Sequence, residues 1–350
     1  MISLVAVVLF GMFLIIVISA IIQGPTVHPS QTWNIGTPVS SVAISPDGQS
    51  VAVGLEDGHI QLRKAVDGKL IWSVFAHPAQ PGYVGTTAVS KLAFSHDGSM
   101  LASAGVDNLM FLWQTSNGAQ LRGWSNEGQG VRALAFSPDD ALLATSGPGG
   151  SIRILNLRTG GVANTLPGNN FVYSLGYSPS GRDLTSVSDG NMISQWQLLT
   201  GTLLESQQIK RFGGKQMITS SAVDPTGHFA ALALDSENQV FVATLGATSA
   251  SKTSNNEQSY HALKGHNAGI WSLAFSPSGQ LLASGGGRLN ISGSSNSEDT
   301  PIRVWDIAGM KQIALLRGHT GNVTGVAWGP DNNQLVSGSQ DGTVILWKVK

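Results

Sequence analysis

The sequence predicts an all-β protein, a seven-bladed β-propeller that is preceded by a single apolar helix. Three observations support this prediction. A turn resembling Ser-Pro-Asp-Gly recurs seven times along the chain. Glycine is abundant at 43 of 350 residues while charged residues make up only 12%, which is typical of short strands joined by tight turns. The third observation is an uncharged apolar segment at residues 2–22.

The recurring turn sets the period of the repeat, because its copies lie 41 to 53 residues apart. Self-similarity near 40–45 residues with four short strands per unit is typical of propeller blades. Proline fixes φ at the first corner of the turn, and Asp or Asn followed by Gly supplies the positive φ that a tight hairpin requires. The third positions of the seven turns are Pro46, His96, Pro138, Pro179, Pro225, Pro277 and Pro330.

The N-terminal segment 2–22 is long enough for a transmembrane helix, which needs roughly 20 apolar residues. A cleaved signal peptide is the alternative, but no Lys or Arg precedes the apolar run and no good cleavage site follows it. We therefore expect an uncleaved single-pass anchor at 2–22, a linker at 23–30 and the propeller at 31–350. A lone N-terminal anchor commonly has its N-terminus inside, so the propeller is expected on the extracytoplasmic side of the membrane.

Composition excludes several classes of function. The net charge of −1 argues against nucleic-acid binding, which needs a basic face to neutralise phosphates. The absence of cysteine excludes disulfides, thiolate chemistry and Cys-ligated zinc. None of the eight histidines forms an i, i+4 pair, and the glycine-rich runs lack the Lys-Ser/Thr of a phosphate-binding loop. We predict no metal and no cofactor.

The last repeat contains Gly318-His319, then Ser337, then Asp341-Gly342, then Trp347. With the seven turns, this pattern resembles the WD-repeat (WD40) family over residues 31–350. The resemblance implies a structural tetrad of hydrogen-bonded side chains in each blade. In blade seven the tetrad would be His319, Ser337, Asp341 and Trp347.

The other blades match this tetrad to different degrees. Blade six offers His266, Ser284, Asp299 and Trp305, with residues 286–298 as an insertion. Blade two offers Ser103, Asp107 and Trp113, with His77 as a possible partner; blade four offers Ser186, Asp189 and Trp196 without a histidine. Blades one, three and five lack most of the set. Local tetrads are therefore expected in some blades only.

Counting strands predicts how the ring closes. Only three strands can be built after Gly321, so residues 31–36 are expected to pair with the C-terminal blade as its fourth strand. By the topology of the family, the anchor would then enter near the bottom rim of the ring. The top face would be the more accessible one.

Two enzymatic interpretations compete with a structural one. A His–Ser–Asp set could suggest a hydrolase triad, but the resemblance implies that this hydroxyl lies inside the blade and bridges His to Trp. Residues 65–72 look like one copy of the tryptophan-docking repeat of quinoprotein dehydrogenases, a fold that needs the repeat in most blades. We predict that the protein is not an enzyme. A quinoprotein-like enzyme or ligand-binding propeller remains the alternative.

A partner is expected at the top rim of the central channel. The position after the first apolar residue of each inner strand would lie there: Ser40, Ser90, Arg132, Tyr173, Thr219, Trp271 and Thr324. Aromatic residues and Arg dominate interface hot spots, which singles out Arg132, Tyr173 and Trp271.

The long loops 77–87, 247–258 and 286–298 and the basic cluster Lys210, Arg211 and Lys215 are further candidates for surface contacts. The leading hypothesis is a membrane-anchored scaffold that binds proteins, as a non-catalytic subunit of a membrane complex. A secreted soluble propeller, left after signal cleavage, is a further alternative.

Overall fold

The structure is a computed structural model that describes residues 25–78, 87–125, 130–168, 171–209, 217–235, 237–246, 260–287 and 300–349. Apart from one 3-10 turn at Pro148–Gly150, every element in these ranges is a β-strand. The predicted helix at 2–22 lies outside the described residues. Within the described ranges, no helix is long and apolar enough to cross a membrane.

The strands form seven sheets, which we number as blades one to seven, with strands a to d from the channel outwards. Blade one comprises Val39–Ile44, Ser50–Leu55, His59–Lys64 and Leu70–Phe75. Blade two comprises Val89–Phe94, Met100–Gly105, Leu109–Gln114 and Gln120–Ser125. Blade three comprises Leu134–Phe136, Leu142–Ser146, Ile152–Asn156 and Val162–Leu166. Blades four and five comprise Val172–Tyr177, Asp183–Ser188, Met192–Gln197 and Thr202–Gln208; and Ile218–Val223, Phe229–Leu234, Gln239–Thr244 and Tyr260–Lys264. Blade six comprises Gly269–Phe275, Leu281–Gly287, Ile302–Asp306 and Lys311–Leu316; blade seven comprises Val323–Trp328, Gln334–Ser339, Thr343–Lys348 and Pro29–Asn34.

The N-terminal strand Pro29–Asn34 closes the ring by pairing antiparallel to the third strand of blade seven, with Gln31 opposite Leu346. The inner strand of blade seven also contacts that of blade one, so the seven blades form a closed circle. Just before the closing strand, Thr26–Val27 pairs in parallel with Leu315 and Leu316 of blade six. Residues 25–30, which the sequence assigned to a linker, thus lie against the edges of two blades. The chain already belongs to the propeller from residue 25.

The seven predicted turns adopt the positive φ that their sequence requires. Glycine provides this conformation in five of them, for example at Gly48 with φ 70°. Asp140 and Asn332 take its place in blades three and seven, with φ values of 55° and 58°. Short polar side chains tolerate this region because they can hydrogen-bond locally. The Asp140 carboxylate accepts hydrogen bonds from the backbone N–H groups of His96 and Asp97 in the neighbouring turn.

The hydrophobic core lies between the blades. Each of its seven clusters joins residues of neighbouring sheets, such as Trp113 of blade two with Ile60 of blade one. The second strands lie in the middle of this packing, and residues such as Leu232 and Leu282 are fully buried. No blade can bury both of its faces alone. The ring therefore depends on every blade being present.

Candidate functional site

The mouth of the central channel is shaped by an irregularity in the inner strands. In six blades the register of strand a shifts near its start, at the second residue or, in blade six, the third, leaving that residue outside the regular ladder. A β-bulge of this kind re-aims a side chain. The six residues are Ser40, Ser90, Tyr173, Thr219, Trp271 and Thr324. Blade three has a shorter inner strand, and Arg132 precedes it.

All seven of these positions, which the sequence proposed for the top rim, line one cavity of about 220 Å³. Three of them hold neighbouring blades together. The hydroxyls of Ser40, Ser90 and Thr324 donate to backbone carbonyls of the next blade, at 2.9, 2.6 and 2.5 Å. Within the ranges that the structure describes, the other four side chains, those of Arg132, Tyr173, Thr219 and Trp271, donate no such hydrogen bond to a backbone carbonyl of the next blade.

Arg132 and Tyr173 form a connected unit on one side of the cavity. The Arg132 guanidinium lies 5.6 Å from the ring centroid of Tyr173 and 5.5 Å from that of Phe171. The Tyr173 hydroxyl donates to Asp189 Oδ1 at 2.7 Å. Burial, together with this carboxylate, raises the pKa of Tyr173 to about 12. The exposed Arg132 is therefore held between two aromatic rings, one of which, Phe171, the sequence analysis missed.

Trp271 and Thr219 face the same cavity from blades six and five. The indole Nε1 of Trp271 and the hydroxyl of Thr219 are buried and have no hydrogen-bond partner among the described residues. Both residues lie at bulges of their inner strands.

Lys91 is the cavity residue that sequence reasoning missed most clearly. It follows Ser90 on the inner strand of blade two, where blades one and six have Ser41 and Ser272. Burial lowers the pKa of the Lys91 ammonium. The signal was present in the sequence, since a single lysine stands in a register otherwise occupied by small residues.

The tetrad of blade seven has the hydrogen bonds that the family resemblance implied. His319 Nε2 lies 2.7 Å from Ser337 Oγ, which accepts from Trp347 Nε1 at 2.8 Å. His319 Nδ1 lies 3.0 Å from Asp341 Oδ2. Burial opposes the charge on Asp341, but hydrogen bonds with His319, Thr343 and a backbone N–H outweigh it and hold the pKa of Asp341 well below its usual range.

Blade two has an equivalent tetrad in which His77 is the histidine. His77 bonds to Ser103 Oγ and Asp107 Oδ1, both at 3.0 Å, and Trp113 donates to the same hydroxyl at 3.0 Å. In blade four, Trp196 donates to Ser186 at 3.0 Å without a histidine.

In blade six, Ser284 Oγ joins His266 at 2.7 Å and Trp305 at 2.8 Å, while the predicted Asp299 lies outside the described residues. Burial, assisted by the charge of Arg303, lowers the pKa of His266 to about 3. The serine hydroxyls of blades two, six and seven are fully buried between His and Trp. This arrangement stabilises the blade and offers no path for a substrate.

Comparison with known proteins agrees with this geometry. The family model described as "WD domain, G-beta repeat" matches residues 29–63, 69–114, 118–156, 160–197, 257–306 and 310–348. These ranges span well over half of the chain. The chain belongs to the WD-repeat family.

Three relatives cover much of this WD-repeat chain. Protein ROOT INITIATION DEFECTIVE 3 of Arabidopsis thaliana is 25% identical over 91% of the chain and 73% of its own length. Serine-threonine kinase receptor-associated protein of Dictyostelium discoideum is 26% identical over 89% of the chain and 95% of its own length. Cell division cycle 20.4, cofactor of APC complex, of Arabidopsis thaliana is 28% identical over 57% of the chain. The chain spans 54% of that last protein and under two thirds of several others.

Blade five lies mainly in the stretch that the WD-repeat model leaves unmatched. It nevertheless has four strands and a buried core. Phe241 and Tyr260 pack edge to face there, with ring centroids 5.7 Å apart, and no tetrad histidine is present in its described part. Aromatic packing fills this blade where tetrad residues are missing.

The sequence shows one tryptophan-docking motif, at residues 65–72, but the contact that such a motif implies occurs at more than one blade boundary. Trp72 of blade one lies against Gly118 of blade two, where an added Cβ would come within 2.9 Å of the ring, and its Nε1 donates to Thr115 O at 2.7 Å. Trp124 donates similarly to Gly160 O of blade three at 2.8 Å, and Trp33 of blade seven covers Gly68 of blade one. Outer-strand tryptophans thus join neighbouring blades at three boundaries.

The remaining surface candidates fall largely outside the described residues. These are residues 79–86 of the first long loop, 247–258, 288–298 of the blade-six insertion, and Lys210, Arg211 and Lys215. Within the described part of the chain, no group of three His, Asp or Glu side chains could hold a metal ion.

Proposed function

We propose that this WD-repeat protein is a non-catalytic platform that binds other proteins through the top of its central channel. The observation that supports this most directly is the group formed by Arg132, Tyr173 and Trp271 around a single cavity. Aromatic residues and arginine supply most of the energy in typical interfaces. The aromatic stacking and the Tyr173–Asp189 hydrogen bond fix two of these side chains in advance, which reduces the entropy lost on binding.

The relatives support a role in protein complexes. One is named as receptor-associated and another as a cofactor of a complex, and those words describe those proteins. The tetrads give this chain a rigid scaffold for such a role. The role proposed for this chain is the general one of binding a protein partner.

We further propose that residues 2–22 anchor the propeller to a membrane, with the propeller on the extracytoplasmic side, as a subunit of a membrane complex. The support is the uncharged apolar sequence of that segment. Washing membranes with alkaline carbonate tests the anchor, since an integral protein stays in the pellet. N-terminal sequencing of the mature protein distinguishes it from a secreted propeller.

The binding role is tested by affinity capture from detergent extract with wild type, Trp271→Ala and Tyr173→Ala. We expect specific partners with wild type and at least a tenfold loss with each variant, because truncating a hot-spot residue costs about 2 kcal/mol or more. Leu199→Ala is the matched control, since Leu199 is 93% exposed on an outer turn away from the channel. Equal recovery from all four proteins, or none from any, would refute the proposed site.

A second candidate, a quinoprotein-like or other ligand-binding propeller, is favoured by one observation. Three tryptophans dock on the neighbouring blade as the tryptophan-docking resemblance implies. An absorbance scan of the purified protein between 300 and 500 nm tests it. A bound chromophore would support this candidate over the platform.

A further inference from the structure

The cavity at the channel mouth has an unbalanced charge. Among the described residues, its lining contains two cationic side chains, Lys91 and Arg132, and no Asp or Glu. The whole chain, by contrast, carries 20 basic and 21 acidic residues. A polar cavity that concentrates positive charge attracts an anion in preference to a cation.

Lys91 is the unusual member of this lining. Its side chain is partly buried in the wall of the channel, where burial disfavours the ammonium ion and lowers its pKa. Within the described part of the chain it takes part in no ion pair. A desolvated charge without a partner is costly, and an anion in the cavity would remove most of that cost.

Acidic side chains on neighbouring blades are already engaged. Asp189 accepts from the Tyr173 hydroxyl, and Asp107 belongs to the tetrad of blade two with His77. Asp235 accepts from the backbone N–H of Met217. None of these three carboxylates lines the cavity, so none of them neutralises Lys91 there.

Two further polar residues line the cavity on the opposite side of the ring, Thr219 and Trp271. Trp271 Nε1 and Thr219 Oγ1, on blades six and five, are buried and have no hydrogen-bond partner in the part of the chain that the structure describes. The indole N–H can only donate, and the threonine hydroxyl can donate as well as accept. In a ring of seven, blades five and six lie across the channel from blade two, which carries Lys91. Polar residues therefore line the cavity on both sides.

The volume of the cavity limits the size of the ligand that it can hold. About 220 Å³ is less than the roughly 300–1,000 Å³ of typical small-molecule sites, so it suits one side chain better than a cofactor. We propose that the channel mouth takes the carboxylate of an Asp or Glu side chain from an extended acidic segment of a partner protein. This inference rests on the proposed platform function and specifies the chemistry of its partner.

The test is a selection of phage-displayed random dodecapeptides on the purified full-length protein in detergent. We expect the wild type to enrich peptides with Asp or Glu at one fixed position. Binding of a selected peptide should fall about 10- to 100-fold with Lys91→Met, as for a lost hydrogen bond to a charged group. Changing the peptide's acid to its amide should have the same effect. Lys69→Met is the control, since Lys69 lies on an exposed turn of blade one.

Other outcomes of the experiment distinguish the failure of this inference from the failure of the proposed protein-binding function. If selected peptides need Tyr173 and Trp271 but show no preference for acid, the acidic segment is refuted and the platform stands. If no peptide is selected, both fail. If inorganic sulfate or free glutarate binds in a Lys91-dependent way and no peptide does, the site takes a free anion, and the acidic segment is refuted. Methionine keeps the length of the lysine stem, and an unchanged or raised Tm of Lys91→Met will show that the variant is folded.

Discussion

The tetrads allow a quantitative test of how this propeller is stabilised. In blade seven, Ser337 Oγ is the common partner of His319 Nε2 and Trp347 Nε1, and all three side chains are buried. The change Ser337→Ala removes that oxygen and leaves an imidazole nitrogen and an indole N–H without partners. The space left by one hydroxyl is smaller than a water molecule needs, so water cannot replace it.

Each buried polar group left unsatisfied costs about 1–3 kcal/mol, so Ser337→Ala should lower the free energy of unfolding by about 2–5 kcal/mol. Blade four provides an internal comparison. There Ser186 accepts from Trp196 at 3.0 Å but has no histidine partner, and its other contact, to Ser194 O, is long at 3.4 Å. Ser186→Ala should therefore cost only about 1–2 kcal/mol.

The assay is urea unfolding at 25 °C, comparing midpoints at constant slope. Ser99→Ala is the control, because that exposed turn hydroxyl should change stability by less than about 0.5 kcal/mol. We expect the loss to increase in the order Ser99, Ser186, Ser337. Equal losses of stability in Ser337→Ala and Ser186→Ala would refute the reasoning, because they would mean that the hydrogen bond between His319 and Ser337 adds nothing to the free energy of unfolding.

Three other predictions concern the pH dependence, the blade boundaries and the N-terminus. Because burial holds the folded-state pKa of His266 at about 3, below an ordinary value of about 6.5, the unfolded chain binds the proton first as the pH falls. Stability should therefore fall between about pH 6.5 and pH 3, by up to about 1.4 kcal/mol per pH unit, and the slope should flatten in His266→Gln; identical slopes by urea unfolding would contradict this. Trp72→Phe should cost about 1–2 kcal/mol by losing its hydrogen bond to blade two, whereas an unchanged unfolding midpoint would show that the contact is dispensable. Deletion of residues 1–24 should leave a folded ring and deletion of 1–34 should not, because the latter removes the closing strand; equal protease resistance of the two would argue against closure by that strand.

Much of the fold follows from features that act within one repeat. The turn at Pro330 needs a residue that tolerates positive φ, and Asn332 adopts φ 58° there. The resemblance to the WD-repeat family implied the tetrad of blade seven residue by residue, and its hydrogen bonds form in the structure. The missing fourth strand of that blade likewise pointed to the N-terminus.

The channel mouth was only partly predictable. The sequence identified Arg132, Tyr173 and Trp271 by their type and position, but not the bulges that direct the side chains of most of this ring. It also missed Phe171, because the ring that covers Arg132 comes from the next blade. A shift of one residue moves a side chain to the other face of a strand, so such details depend on the register of the neighbouring strand.

The sequence by itself determined the number of blades and the place of closure, because both follow from strands and turns repeated at one period. Only the tertiary structure decided which channel residues are free. Ser40 and Thr324 are occupied by carbonyls of the next blade, while Thr219 and Trp271 have no partner among the described residues. The blades that meet at the channel are separated by tens of residues in the chain, and their inner strands come together only when the ring is closed.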